Sequence, residues 1–218
     1  AQELGYAEKD PTADVEGHDA CRKICIISSL VFGKHVYPKS VYTKGISDVE
    51  LCDVAAADVL GHAVKLVASV RRTESGKILP VVMPTLVSYD NVMAGVNDVF
   101  NAVLVYGDGI DCTMFYGRGA GKLPTASAVL GDVIEAVKHK VTVFSQSWES
   151  AEDDSFIESV DELKSFWYFR VPSDSEIDGV EAYNHDDGIS FITTQELTFA
   201  EAKAKAEKLS ALAYMPVL

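Results

Sequence analysis

Basic residues are scarce in this chain. Lys and Arg total 19 against 33 Asp and Glu, giving a formal net charge of −14 at pH 7. Binding to nucleic acid or to an anionic membrane surface needs a basic face that releases counterions, so neither is expected as a partner. A small local basic pocket for an anionic ligand is still allowed. Long apolar runs are also missing. A membrane span needs roughly 20 consecutive apolar residues, whereas the stretch from Ile24 to Phe32 is already broken by two serines. The opening residues are acidic and polar, unlike a signal peptide. Only four cysteines occur (Cys21, Cys25, Cys52, Cys112), with no metal-type spacing. Cys21 and Cys25 lie one helical turn apart, a poor geometry for a disulfide, so free thiols and a cytoplasmic location are expected. The histidines (His18, His35, His62, His139, His185) show no ligand spacing, and no metal site is expected.

What is present is globular: 218 residues, 48% of them apolar and 24% charged. This is enough for one large domain or a medium domain plus a small one, and it excludes disorder of the whole chain. One composition break stands out. Residues 145–162 carry seven acids and no base, which reads as a solvated connector. It divides a body, 1–145, from a tail, 163–218, with 146–162 as acidic linker.

In the body, apolar positions at helical spacing predict a helix from Asp19 to Phe32, stopped by Gly33. A second helix is predicted from Asp48 to Leu60. Strands are expected over Ala63–Val70 and Ile78–Met83 around a turn at Ser75-Gly76, and over Phe100–Tyr106 and Asp111–Tyr116 around Gly107-Asp108-Gly109. Between these pairs, Tyr89 to Val99 reads as a short helical piece. A helix starting at Pro124 and ending near His139 follows, because Pro suits the first helical position. The tail reads as strand (Ser165–Val171), strand (Gly188–Thr194) and helix (Phe199–Leu212), with Thr198 and Glu201 forming a capping box. The fold class is α+β: a mixed β-sheet covered by helices on one face, followed by a small α/β domain.

Two segments could carry chemistry. Glu8, Asp10, Asp14, Glu16, Asp19 and Lys23 fall within sixteen residues before an apolar helix. Asp19 and Lys23 are i and i+4, so they share a face. A lysine titrates near about 10.4 in water; burial lowers that value and carboxylates raise it. Held by Asp19 at the entrance of so apolar a helix, and only partly hydrated there, Lys23 could pass a proton to or from a carbonyl oxygen. Glu8 and Asp14 could receive a substrate ammonium. By spacing alone, the commoner reading of the same pair is a surface ion pair worth about 0.3–0.5 kcal/mol.

The second segment, Tyr116 to Val129, runs from a strand through Gly117, Gly119 and Gly121 into a helix. Exposed backbone N–H groups and the helix dipole suit such a junction to an anion. Arg118 and Lys122 add positive charge. It is no Walker A loop, since Tyr116 stands where a glycine is needed and Leu123 where Ser or Thr should follow. Its G-x-G-x-G spacing also differs from the dinucleotide fingerprint. Tight helix–strand packing would favour the same small residues. Ser28 and Ser29, inside the first helix, should bond back to carbonyls one turn earlier. Asn97 and Asn101 flank the start of a strand as turn caps or ligand contacts.

The pattern Ala1-x3-Gly5-Tyr6-Ala7-x2-Asp10-Pro11-x2-Asp14-Val15-x-Gly17-x-Asp19-x3-Lys23 resembles the signature segment of homoserine dehydrogenases, and VNDVFNAV and GRGAGKLPTASAV are similar to the same family. The likeness extends over residues 1 to about 140. It implies an NAD(P)-dependent oxidoreductase that interconverts L-aspartate 4-semialdehyde and L-homoserine, on the route to threonine and methionine. It implies Lys23 as the catalytic lysine, Asp19 as the acid holding substrate and lysine, Glu8 and Asp14 as substrate-binding residues, and Gly119 and Gly121 near the nicotinamide end of the cofactor. It also implies a homodimer or homotetramer. In this family a nucleotide-binding domain comes first, and it bears most of the contacts to NADP or NAD. The chain is therefore expected to be a piece truncated at its N-terminal side, inactive alone. Lys44, in YTKGI, departs from the family pattern, where a glutamate is expected. The tail resembles an ACT regulatory module through its FWYFRV and GISFITT strands, but SDSEIDGVEAYNHDD replaces the usual turn into a helix. The competing reading is a non-catalytic, amino-acid-binding regulatory module on the same scaffold.

Overall fold

The computed structural model describes residues 10–139, 148–175, 177 and 182–218. In chain order the elements are α1 (Thr12–Val15), α2 (His18–Phe32), β1 (Tyr42–Thr43), α3 (Leu51–Val59), β2 (His62–Arg72), β3 (Ile78–Ser88), β4 (Phe100–Gly107), β5 (Asp111–Arg118) and α4 (Lys122–Lys138). There follow β6 (Lys164–Val171), β7 (Ala182–His185), β8 (Gly188–Ile192), β9 (Leu197–Thr198), α5 (Phe199–Lys208) and β10 (Ala213–Val217). The class is mixed α+β. Two compact units divide the chain: a larger one, Thr12–Ala94 with Ser147–Leu218, and a smaller one, Ala1–Pro11 with Gly95–Gln146.

The larger unit is built on one mixed sheet in the order β1-β3-β10-β6-β8-β7, with β2 also on β3 and β9 on β6. β3 is its centre and is buried at its first ten positions, as a strand covered on both faces must be. Alternation along it sorts the core. Leu79, Val81 and Met83 pack with Trp167, Phe169, Val171 and α5 residues Phe199, Ala202 and Ala206. Ile78 and Val82 pack with Cys21, Ile24 and Cys25 of α2, and Leu86 with Ala56 and Ala57 of α3. Helices therefore cover both faces, not one: the C-terminal helix supplies the second layer.

The division at an acidic linker is not the one the chain contacts follow. β10 lies antiparallel to β6, with Met215 opposite Tyr168, and parallel to β3, with Val217 opposite Leu86. Tail and first half of the body thus share one sheet. Sequence periodicity continues the last helix to Leu212, but α5 ends at Lys208, Ser210 takes φ 50, and the chain turns back as β10. The acidic segment is itself attached: Ile157 bridges to Ile78, and Phe156 and Ile157 pack against the α2 core. Its acids at 152–154 are exposed.

A buried polar cluster ties α3 to this sheet. Arg170, 3% exposed, donates from Nε to Oδ1 of the fully buried Asp53 at 2.9 Å. Its Nη2 lies 3.1 Å from Oε1 of Glu50. The Tyr168 hydroxyl donates to Asp53 at 2.9 Å and lies 2.9 Å from Ser190 Oγ. Burial pushes the Tyr168 phenol well above its ordinary range. Buried charges persist only when paired in this way.

In the smaller unit β4 and β5 form a two-stranded hairpin, Phe100 opposite Arg118. Phe100 and Tyr116 stack at 4.8 Å, with the Arg118 guanidinium 5.3 Å from the Phe100 ring. α4 begins at Lys122, not at Pro124, and none of its residues is buried. The expected helical piece at 89–99 is reduced to a 3-10 turn, Val92–Gly95.

Candidate active site

Lys23 and Asp19 stand on the first two turns of α2. The helix starts after Gly17 (φ 74), which separates it from α1, and ends at Gly33. Its apolar stripe (Cys21, Ile24, Cys25) faces the sheet, which leaves the Asp19–Lys23 side outward. Lys23 Nζ lies 2.6 Å from Asp19 Oδ2, with side chains 60% and 40% exposed. Lys23 is therefore more open than the apolar helix suggested, because Ile26 and Leu30 on the same face are themselves 53% and 51% exposed. A 2.6 Å contact is short for a charge-assisted bond and fixes the ammonium to one carboxylate oxygen.

Asp14 lies in α1, exposed, its carbonyl accepting from the Gly17 N–H at 3.2 Å. It is thus at the corner leading into α2, and the ion pair of Lys23 is made with Asp19, not with it. Glu8 lies outside the described residues. Sequence reasoning passed over what braces this corner. The Ile46 N–H donates to Val15 O at 2.8 Å, and Ser47 Oγ donates to Glu16 Oε1. A Cβ at Gly45 would sit 2.3 Å from Val15 O, so YTKGI needs glycine to approach the α1–α2 corner. The one available signal was the glycine itself.

Inside α2, Ser29 Oγ donates to Cys25 O at 2.7 Å and accepts from the Val36 N–H at 2.9 Å. Ser28, equally buried, has no partner among the described residues, so the expected back-bond forms at one serine only. The four cysteines are free thiols. Burial, then the neighbouring Cys21, pushes the Cys25 thiol up to about 12.

In the smaller unit the glycine-rich turn links β5 to α4. Gly121, at φ 118, is the residue before the helix. A Cβ at Gly119 would lie 2.1 Å from Asn101 Nδ2, so Asn101 closes on bare backbone. The Gly119 N–H points to Val99 O at 3.4 Å. Pro124 has no amide hydrogen, so the first turn of α4 offers the N–H groups of Lys122 and Leu123. That junction, flanked by Arg118 and Lys122, is chemically suited to an anionic group. Among the described residues no cluster of three or more His, Cys, Asp or Glu could hold a metal ion, and no helix is long and apolar enough to cross a membrane.

Comparison with known proteins points one way. A family model described as homoserine dehydrogenase matches residues 1–134. The chain is 49% identical over 138 residues to a homoserine dehydrogenase of Pseudomonas aeruginosa, covering 63% of this chain and 32% of that protein. It is 39% identical over 183 residues to the one of Neisseria gonorrhoeae, covering 81% of this chain and 42% of that protein. The crystal structure of a homoserine dehydrogenase from Thiobacillus denitrificans superposes with a TM-score of 0.79 at 31% identity, over 100% of this chain and 57% of that one. The S. aureus homoserine dehydrogenase gives 0.78 at 30%, with the same coverage. The chain thus spans about a third to somewhat over half of the length of these relatives.

Proposed function

The chain belongs to the homoserine dehydrogenase family, and from that premise we propose that it is the substrate-binding and catalytic portion of an enzyme that reduces L-aspartate 4-semialdehyde to L-homoserine and runs the reverse oxidation. The observation that carries this reading is the Lys23–Asp19 pair, 2.6 Å apart on the outward face of α2. Reduction of an aldehyde needs a hydride at carbon and a proton at oxygen. Lys23 donates that proton to the carbonyl oxygen and, in the oxidative direction, removes it from the alcohol. Asp19 holds the ammonium in place and balances its charge. Glu8 and Asp14 receive the substrate's α-ammonium, an assignment that rests on the family pattern. Bound NAD or NADP supplies or accepts the hydride. On this chain the residues that would meet its nicotinamide end are Gly119 and Gly121, an assignment that rests on the family pattern, since glycine lets backbone approach a ligand closely. Most of the cofactor contacts are assigned to the part of the enzyme that precedes these residues.

The same reading makes the protein a cytoplasmic member of threonine and methionine biosynthesis that works as a homodimer or homotetramer. It divides the chain into catalytic residues 1–145, connecting residues 146–162 and an ACT-like tail, 163–218. The turn that departs most from an ACT pattern, 173–187, falls partly outside the described residues. The test is kinetic. In the full-length enzyme Lys23→Ala should lower kcat for NADPH-dependent semialdehyde reduction by about 10²–10⁴-fold, the usual worth of a general acid. KM should change little by comparison. An unchanged kcat would leave the non-catalytic regulatory module as the better reading. Residues 1–218 alone should show no turnover.

A further inference from the structure

α1 and α2 meet at Gly17 but are held in place by different means. α2 is packed: Cys21, Ile24 and Cys25 lie in the core with Ile78 and Val82 of β3. The residue before it is seated too, since a Cβ at Gly17 would come within 3.2 Å of Val82 Cγ1 and 3.4 Å of Thr43 Cγ2. α1, four residues long, has no buried side chain. One turn has too few internal bonds to stand alone, so its place depends on bonds from outside. Two of them come from the segment between β1 and α3. Both ends of that segment are fixed. The Lys44 N–H donates to Val82 O at 2.8 Å, continuing the pairing of β1 with β3. At the other end the Glu50 N–H donates to Oδ2 of the buried Asp53 at 3.0 Å, and the Val49 N–H closes a turn on Ile46 O at 3.0 Å.

Gly45, Ile46 and Ser47 thus project from a bracket anchored on the sheet and on α3, and they meet α1 at its end. The Ile46 N–H donates to Val15 O at 2.8 Å. Ser47 Oγ donates to the Glu16 carboxylate, a charge-assisted bond of the stronger kind. Bare Gly45 makes the approach possible, because a Cβ there would stand 2.3 Å from Val15 O and 2.5 Å from Glu16 Cα. Asp14 is the residue just before the first of these contacts. We propose that Gly45 and Ser47 are positioning residues for substrate binding: they set the place of Asp14, and through it that of the substrate ammonium, without setting that of Lys23. This role rests on the one given to Asp14 in the proposed reaction. The ammonium carries the same charge before and after hydride transfer, so its contact is uniform binding, which is read in KM and not in kcat. The Asp19–Lys23 pair rides on the packed helix and keeps its chemistry.

Steady-state kinetics of the full-length enzyme with L-aspartate 4-semialdehyde, and with L-homoserine in reverse, test it. S47A should raise KM for both by about 3- to 10-fold, the range of one ordinary hydrogen bond. Its kcat should stay within about twofold of wild type, and KM for NADPH should not move. S47T, which keeps the hydroxyl at an exposed position, should restore KM. G45A, whose methyl would collide with Val15 O, should raise KM at least as far; if it fails to fold, S47A and S47T decide. A wild-type KM in S47A would overturn the proposal, as would S47T no better than S47A, or a loss of kcat with KM unmoved. K23A run beside them separates two kinds of failure. If K23A loses kcat while S47A is neutral, the positioning role alone is overturned. If K23A keeps kcat, the proposed reaction is overturned, and the positioning role with it.

Discussion

The two units treat similar sequence patterns very differently. α2 and α4 both carry apolar residues at helical spacing. In the larger unit that stripe is buried against β3, and Trp167, Tyr168 and Phe169 are at most 1% exposed. In the smaller unit Leu123 is 81% exposed and Phe115 64%, and α4 buries nothing. The difference teaches that amphipathic pattern specifies an element but not its partner. The larger unit closes its own core with two helical layers around one sheet. Among its described residues the smaller unit has a hairpin and one helix, too little to cover either, and exposed apolar stripes of this kind mark contact surfaces. The chain spans under two thirds of the length of these relatives.

Three experiments sharpen that contrast. The largest effect belongs to the closed unit. Asp53→Ala removes the buried partner of the Arg170 guanidinium and leaves it only Glu50 at 3.1 Å, and should cost about 3–5 kcal/mol of unfolding free energy in urea titration. The paired change Asp53→Leu with Arg170→Met should recover most of that loss; if it does not, the cluster does more than pair charge. Next in size, Leu130→Lys on α4 should change the stability of residues 1–218 by no more than about 0.5 kcal/mol, as at any exposed site. In the full-length enzyme it should cost about 2 kcal/mol or more, as for a buried leucine. Equal small effects in both would mean that the stripe is uncovered throughout. The smallest perturbation is chemical. Because burial and Cys21 raise the Cys25 thiol to about 12, its thiolate is scarce at neutral pH and alkylation is slow. Iodoacetamide with mass mapping should label the exposed Cys112 first, and Cys21 and Cys25 only on unfolding. Rapid labelling of Cys25 in the folded protein would show that α2 opens.

Much of the larger unit was legible. The start and end of α2 followed from periodicity and Gly33, and the Thr198–Glu201 capping box at α5 appears as drawn, with Glu201 N–H to Thr198 Oγ1 at 3.2 Å. β10 was missed because AYMPV is five residues long and follows a helix whose apolar spacing runs straight into it. The apparent linker was read from its charge, although Phe156 and Ile157 inside it attach it to the core. Of the site, the Asp19–Lys23 pair was visible because both residues sit one turn apart on one helix. Its openness was not, since exposure depends on what stands opposite.

The amino-acid order by itself settled much of what is local: helices α2, α3 and α5, the hairpins β2–β3 and β4–β5, which carboxylate reaches Lys23, and the family. These depend on spacings of three or four residues, where backbone geometry leaves few alternatives. Tertiary structure alone decided that Arg170 meets Asp53 across 117 positions, and that the tail enters the central sheet through β10. Such pairings are chosen by burial and shape over the whole chain, and no short pattern encodes them.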